Sequence, residues 1–186
     1  MSGFHRLIEQ QIPRLRRYAR ALTRNDDRAD DLVQDTLNRA LTKEQLWQPG
    51  TDLRAWLFTI MHHQNVNQIR RAAREGAPVD EEGCSVNLIA ATDPTASRQL
   101  HELDCALALL PEEKRQVILL IGLEGIRYED AAAILNVPLG TIRSRLARGR
   151  ESLRKLLDME AKPPRGAVRK FTPKRSAASL RAKAAT

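Results

Sequence analysis

Residues 128–155 contain the pattern that most constrains the fold: a short helix, a tight turn and a second amphipathic helix. The first helix is predicted over residues Tyr128 to Leu135. The residues from Asn136 to Gly140 break it, and a new helix is predicted to begin at Thr141, whose side chain suits a helix N-terminus. Two short helices joined in this way predict a helix-turn-helix motif.

The second of these helices has two chemically different faces. At about 100° per residue, the predicted core face consists of Ile142, Leu146, Gly149, Leu153 and Leu156. The outward face consists of Ser144, Ala147, Arg148 and Glu151, flanked by Arg143 and Arg150. Residues 141–155 hold six basic residues and one acidic residue, a net charge of +5. Small outward residues beside arginines favour close approach to a DNA groove, and the alternative is a solvated basic helix in an ordinary bundle.

The net charge of the whole chain is weaker evidence for DNA binding than the charge of residues 141–155. The chain of 186 residues has 31 Lys and Arg against 23 Asp and Glu, for a net charge of +8. Eight of the basic residues and none of the acidic residues lie in residues 161–186, so residues 1–160 are neutral overall. The basic tail suits either nonspecific attraction to DNA or a solubilising chain end.

The rest of the sequence also has helical rather than strand-like patterns. A first helical segment is predicted over about 4–22, with a boundary or kink at Pro13. A second is predicted over 25–41, where residues 25–27 suit its N-terminal cap, and a third over 53–74, after a loop at 48–52 that supplies another cap. Helical patterns then resume at 98 and continue to 159. Residues 75–97, with their Gly, Pro and acidic residues, predict a linker. The predicted fold class is all-α: two small helical domains, an N-terminal bundle and a C-terminal helix-turn-helix, joined by a flexible linker and followed by a disordered basic tail.

The helix over 25–41 is amphipathic in an unusual way. Its core stripe consists of Ala29, Leu32, Val33, Thr36, Leu37 and Ala40. The opposite face, called the docking face below, consists of Asp31, Gln34, Asp35 and Asn38. From the residues alone, such a face is either solvated or able to bind a basic or polar partner helix.

The helix over 53–74 does not follow a single core stripe. Leu53, Trp56, Leu57 and Ile60 share one face, but Val66 and Ile69 fall outside it. The pattern therefore predicts either a bend near residues 62–65 or a second apolar contact. The Trp56 ring is suited either to stacking on an unstacked base or, more simply, to packing in the core. The arginines at 70, 71 and 74 are suited to binding phosphates.

Several kinds of protein are excluded or disfavoured. Two cysteines form neither a disulfide framework nor a four-thiolate zinc site. The adjacent His62 and His63 point about 100° apart on a helix, so no metal site is predicted, and no cofactor is expected. The sequence has neither a glycine-rich phosphate loop nor a nucleophile–base arrangement, so we expect no enzyme active site. It also lacks a secretory signal and a membrane-spanning run, so no membrane insertion is expected.

Two segments resemble a known family. The residues from Leu110 to Arg115 and from Tyr128 to Arg150 resemble the fourth conserved region of extracytoplasmic-function (ECF) RNA polymerase sigma factors of the sigma-70 family. The segment Asp30-Asp-Leu-Val-Gln-Asp-Thr36 resembles their second conserved region. The resemblance implies a bacterial, cytoplasmic protein, nucleoid-associated when active, that recruits core polymerase to specific promoters and initiates transcription. It also implies stress-response target genes and an anti-sigma factor as a partner.

The resemblance also implies site residues and domains. The upstream (−35) promoter element would be read by Tyr128, Thr141, Arg143, Ser144, Ala147 and Arg148. The downstream (−10) element would be read by Trp56, His63, Asn67, Arg70 and Arg71. Core RNA polymerase, through its β′ coiled coil and its β subunit, would be bound by Asp31, Gln34 and Asp35. The domains would be region 2 at 4–74, a linker at 75–97, region 4 at 98–159 and a tail at 160–186. His63 stands where family members usually have Asn, and Asn67 where they often have Asp.

Two other interpretations remain. A sigma-like decoy would sequester an anti-sigma factor without starting transcription. A helix-turn-helix repressor would bind duplex DNA as a dimer without polymerase, but this leaves the docking face unexplained.

Overall fold

The structure, a computed structural model, describes residues 3–75 and 94–161. All elements within these residues are helical and none is a strand, which confirms the predicted all-α fold class. The helices are α1 (Gly3–Glu9), α2 (Ile12–Thr23), α3 (Asp26–Thr42), a 3₁₀ turn (Glu44–Leu46), α4 (Leu53–Glu75), α5 (Pro94–Ala108), α6 (Glu112–Ile118) with a π-helical segment (Leu119–Leu123), α7 (Tyr128–Leu135) and α8 (Leu139–Ala161). Most of the predicted linker and of the predicted tail lies outside the described residues. Helix α5 begins four residues before Arg98, where helical periodicity was expected to resume.

Local sequence signals explain the ends of the N-terminal helices. The predicted boundary at Pro13 is confirmed, because α1 ends at Glu9 and α2 begins at Ile12 with the proline in its first turn. The Asn25 side chain caps α3 by accepting a hydrogen bond from the Arg28 amide at 2.8 Å. Oδ1 of Asp52 accepts bonds from the amides of Arg54 and Ala55 at 2.9 and 3.2 Å, which starts α4.

The N-terminal half, residues 3–75, packs α2, α3 and α4 around one apolar core. Leu15, Leu32 and Leu57 are almost completely buried in it. The rings of Tyr18 and Phe58 meet edge to face, with centroids 5.0 Å apart. This core fixes which side of α3 and which side of α4 remain available to other molecules.

The C-terminal half, residues 94–161, packs α6, α7 and α8 together. The predicted core face of α8 is confirmed, since Ile142, Leu146 and Gly149 are buried, and Leu153 and Leu156 are partly buried against the same core. Gly149 permits a close approach of the helices, because a Cβ atom there would lie 2.8 Å from Cδ1 of Ile118.

The turn between α7 and α8 has a left-handed residue at Asn136, with φ at 51°. The prediction that α8 begins at Thr141 is wrong by two residues, because the helix begins at Leu139. The Pro138 carbonyl accepts hydrogen bonds from the amides of Thr141 and Ile142 at 2.9 and 3.2 Å. These bonds close the first helical turn earlier than the sequence suggested.

The two halves are in direct contact, and one buried cluster runs through both. Helix α4 packs against α7, and α2 packs against the π-helical segment. Val66 and Ile69, together with His62, lie beside Glu112 and Gln116 of the C-terminal half. Helix α4 is continuous from Leu53 to Glu75, and the residues of the C-terminal half beside Val66 and Ile69 are polar, so this contact differs from the predicted second apolar one.

Candidate functional site

Helix α8 presents the predicted upstream-reading residues on the side away from its core face. Arg143, Ala147 and Arg148 are exposed, whereas Thr141 and Ser144 are half-buried. The Ser144 hydroxyl donates a hydrogen bond to the Thr141 carbonyl at 3.0 Å. These residues therefore form one surface on the first turns of the helix, with two exposed guanidinium groups beside a small side chain. That surface suits contact with base edges and phosphates.

Two nearby residues have different surroundings. Tyr128, at the first position of α7, is 38% exposed and lies at the edge of the same motif. The Arg145 guanidinium forms an ion pair with the Glu113 carboxylate at 2.8 Å, and its side chain is only 25% exposed. Arg145 thus connects α8 to α6, whereas Arg143 and Arg148 lie on the outer surface.

The structure brings three of the predicted downstream-reading residues together. His63, Asn67 and Arg70 lie on one stripe of α4 and line an open pocket of about 700 Å³. Arg39, in the last turn of α3, and Lys43, directly after that helix, line the same pocket, although the sequence analysis did not single them out. Their spacing of four residues on the polar side of α3 was the available signal. The pocket therefore combines three cationic side chains with two imidazoles and three side-chain amides, a lining that suits a phosphate backbone and polar base edges.

The other two predicted downstream-reading residues lie elsewhere. Trp56 is half-buried, and its ring packs edge to face with Phe4, with centroids 6.2 Å apart. Nε of Arg71 donates a hydrogen bond to Glu75 at 2.8 Å, and this bond raises the pKa of the arginine. Neither residue lines the pocket formed by His63, Asn67 and Arg70.

The docking face is exposed along its length. Asp31, Gln34 and Asp35 all lie on the surface of α3, as predicted from its periodicity. Oδ2 of Asp35 accepts a hydrogen bond from Nε2 of Gln68 at 3.0 Å, so α4 supports one end of the face. The face therefore offers carboxylate and amide groups to a partner, with one carboxylate already oriented.

Two histidines lie at the contact between the halves. Burial lowers the pKa of His62, the neighbouring His63 lowers it further, and Glu112 acts in the opposite direction. The two imidazole rings are tilted at 49° with centroids 5.9 Å apart. Within residues 3–75 and 94–161, no three His, Cys, Asp or Glu side chains are grouped so as to hold a metal ion.

No helix in the described part of the chain is both long and apolar enough to cross a membrane.

Comparison with known proteins identifies both halves. Residues 8–62 match the family described as "Sigma2 domain of PhyR", and residues 100–153 match "Sigma-70, region 4". The chain is 42% identical over 146 residues to the ECF RNA polymerase sigma factor EcfG of Rhodopseudomonas palustris, covering 78% of this chain and 80% of that protein. It is 36% identical over 166 residues to the ECF RNA polymerase sigma factor SigE of Mycolicibacterium smegmatis, covering 84% and 62% respectively.

A solved structure supports the fold as well as the sequence match. The sigma factor RpoE from Bartonella quintana, determined in complex with the anti-sigma factor NepR, is 36% identical to this chain with a TM-score of 0.75. The similarity covers 86% of this chain and 99% of that one. The match therefore extends across both halves.

Proposed function

We propose that this chain, which belongs to the ECF family of RNA polymerase sigma factors, binds core polymerase through the docking face. It would bind the downstream promoter element through α4 and the upstream element through α8. The observation that carries the proposal is the exposed surface of α8, where Arg143 and Arg148 flank small side chains. In this proposal the chain supplies recognition in the bacterial cytoplasm, and the polymerase supplies the chemistry of RNA synthesis.

The two DNA-reading surfaces would have different tasks. The outer surface of α8 would enter the major groove of the upstream element, where arginine is a good partner for guanine edges. The pocket of His63, Asn67 and Arg70 would hold the downstream element, with Arg39 and Lys43 contacting phosphates. Because the side chains of His63 and Asn67 both carry hydrogen-bonding groups, they would contact base edges, and Arg39, Lys43 and Arg70 would supply most of the affinity.

Control by an anti-sigma factor is the third part of the proposal. The relative from Bartonella quintana was determined in complex with an anti-sigma factor, and its similarity covers most of both chains. We expect a protein of the same kind to bind this chain and to prevent its use by polymerase.

Transcription with purified components tests the proposed function directly. The full chain is mixed with core RNA polymerase and a genomic promoter library, and the run-off transcripts are sequenced. Transcripts that share paired upstream and downstream elements are the expected result. Polymerase binding without transcripts would contradict the promoter assignment, and anti-sigma binding without polymerase binding would indicate the decoy. Duplex DNA binding without polymerase binding would indicate a repressor.

The docking face has its own test. The double variant Asp31→Ala/Gln34→Ala removes two exposed groups without disturbing the core, so it should lose polymerase in a pull-down while keeping its helical circular dichroism. Asp30→Asn, an exposed acidic position beside the docking face, is the matched control and should retain polymerase. Normal capture of polymerase by the double variant would show that the docking assignment is wrong.

A further inference from the structure

The pocket on α4 gathers cations that no acidic group neutralises. Arg39, Lys43 and Arg70 line it, and its lining contains no Asp or Glu. In the described part of the chain, none of these three cations forms an ion pair. Arg71, the next residue along α4, is instead paired with Glu75 at 2.8 Å. The pocket therefore has a positive potential that a bound anion would neutralise.

Arg70 remains available although two carboxylates lie near it. It also lines a smaller neighbouring pocket of about 260 Å³ together with Glu112 and Glu113. The Glu113 carboxylate forms its ion pair with Arg145 at 2.8 Å. Oε1 of Glu112 accepts a hydrogen bond from Nε2 of Gln116 at 2.7 Å. Because both carboxylates have other partners, the Arg70 guanidinium can serve a ligand in the larger pocket.

The rest of the lining suits a nucleic-acid base as well as an anion. Ile60 and Val66, both half-buried, and the buried Leu135 supply apolar surface. Three further lining residues carry amides that both donate and accept hydrogen bonds, Gln64, Asn67 and Asn136. Apolar surface can receive the face of a base, and amides can bond to its polar edge. The pocket thus combines the three kinds of contact that a nucleotide needs.

The size of the pocket fits one small ligand. Its volume of about 700 Å³ lies within the range of about 300–1,000 Å³ that is typical of small-molecule sites. Its walls come from three segments distant in sequence: the end of α3, the middle of α4 and the turn after α7. Such walls form a concave site rather than a flat track along a strand, so a mononucleotide suits the space.

From this lining we infer that the pocket binds a free nucleotide with several phosphates, of the nucleoside triphosphate class. The phosphates contact Arg39, Lys43 and Arg70, and the base lies against the apolar surface with the amides at its edge. Three cations match a triphosphate better than a monophosphate, because one phosphate group cannot reach all of them. The lining offers no carboxylate for Mg²⁺, so the inference concerns binding and includes no hydrolysis.

A bound nucleotide would occupy the pocket that the proposed function gives to the downstream promoter element. Phosphates and bases are common to a free nucleotide and a DNA strand, so the same lining can receive either. The two ligands would therefore compete, and nucleotide concentration would affect recognition of the downstream element. Only this consequence rests on the proposed function, because nucleotide binding is a property of the free chain.

Calorimetric titration of the full chain with ATP, at low salt and without Mg²⁺, tests the site. Arg39→Gln and Arg70→Gln should each weaken ATP binding about fivefold or more, because each removes a cation that contacts phosphate. Arg16→Gln is the matched control, since it removes one exposed, unpaired cation of α2 that does not line the pocket. All three variants keep the basic residues of 161–186, so attraction to those residues cannot produce a difference between them. Equal affinities in the wild type and all three variants would overturn the site.

A ligand series separates the phosphate contacts from the base contacts. ATP should bind most tightly, AMP about tenfold or more weakly, and adenosine without measurable affinity. Inorganic triphosphate should bind more weakly than ATP, because it lacks the base. If AMP bound as tightly as ATP, the three-cation assignment would be wrong. If inorganic triphosphate bound as tightly as ATP, the base contacts would be wrong.

Competition distinguishes the two sources of nucleotide chemistry. A labelled single strand with the downstream element recovered by the transcription experiment is bound to the full chain, and ATP is added while fluorescence anisotropy is followed. Displacement of the strand is the expected result. A strand that stays bound at saturating ATP would overturn the shared pocket, and a chain that binds the strand but not ATP would overturn the inference itself. If transcription recovers no promoter, the proposed function fails, whereas the ATP titrations still decide whether the pocket binds a nucleotide.

Discussion

Helices α4 and α8 have the same length but opposite surroundings. Each contains 23 residues and each carries a candidate DNA-reading surface. Helix α8 buries one stripe within its own half and leaves Arg143 and Arg148 exposed. Helix α4 packs on two sides, against the N-terminal core at Leu57 and against α7 of the C-terminal half. The candidate DNA-reading residues of α4 share their pocket with Leu135 and Asn136 of the C-terminal half.

This difference shows how a recognition surface can be controlled by packing alone. The surface of α8 is available in the described arrangement, because its core stripe and the Arg145–Glu113 ion pair leave Arg143 and Arg148 exposed. The surface of α4 is partly enclosed, because Leu135 and Asn136 of the C-terminal half line the same pocket as His63 and Asn67. Packing thus leaves one candidate DNA-reading surface exposed and the other partly enclosed, although both lie on regular helices of the same length.

The largest expected effect is a loss of stability, and it should differ between a core leucine of α4 and a core-face leucine of α8. Leu57→Ala should reduce the free energy of unfolding by about 2–5 kcal/mol, because Leu57 is completely buried and the removed atoms leave a cavity in the core. Leu156→Ala on α8 should have a smaller effect, because Leu156 is only partly buried. Urea denaturation followed by circular dichroism measures both, and equal losses would contradict the comparison.

The second prediction concerns the closest approach of α8 to its neighbour. Gly149→Leu should destabilise the chain by about 1–3 kcal/mol, because even a Cβ atom would lie 2.8 Å from Cδ1 of Ile118. Gly140→Leu is the matched control on the same helix, since a Cβ atom there meets nothing within 4 Å. Thermal unfolding separates the two cases, and a stable Gly149→Leu chain would show that α6 and α8 can move apart easily.

The third prediction separates DNA-reading arginines from a structural one. Arg143→Ala and Arg148→Ala should each weaken upstream-element binding by about 1–3 kcal/mol while leaving the melting temperature unchanged. Arg145→Ala should lower stability by at most about 1 kcal/mol, because it removes the ion pair with Glu113. Fluorescence anisotropy with an upstream-element duplex provides the binding constants. A larger binding loss for Arg145→Ala than for the other two would reverse the assignment.

The smallest expected effect is the pH dependence of stability that His62 contributes at the contact between the halves. Because burial lowers the pKa of His62 below its ordinary value of 6.5, the folded chain binds this proton less readily than the unfolded chain. The contribution of His62 to stability is therefore complete above pH 6.5 and decreases as pH falls from 6.5 toward the folded pKa. His62→Gln should flatten this part of the stability profile, whereas His5→Gln, at an exposed position on α1, should not. An identical slope in the His62→Gln chain would contradict the prediction.

Local signals allowed much of the fold to be predicted. The Asn25 and Asp52 caps, the Pro13 boundary and the core stripe of α8 depend on residues within a few positions of each other. The same applies to the exposed docking face, because helical periodicity alone decides which side of α3 its polar groups occupy. The start of α8 was misplaced by two residues, because hydrogen bonds to the Pro138 carbonyl are not visible in residue types.

The sequence by itself thus determined the helices, their caps and the basic surface of the helix-turn-helix motif. Only the tertiary structure decided which residues meet across the two halves. Nε of Arg17 donates a hydrogen bond to Glu124, which lies 107 positions later in the chain. Nothing in the local sequence of either residue distinguishes it from the charged residues that lie on the surface. Val66 and Ile69 are explained only by a partner from the C-terminal half, and the pocket requires side chains from α3, α4 and the turn after α7. The physical reason is that periodicity records one helix's own faces, whereas a contact between distant segments depends on shape and desolvation that exist only after both have folded.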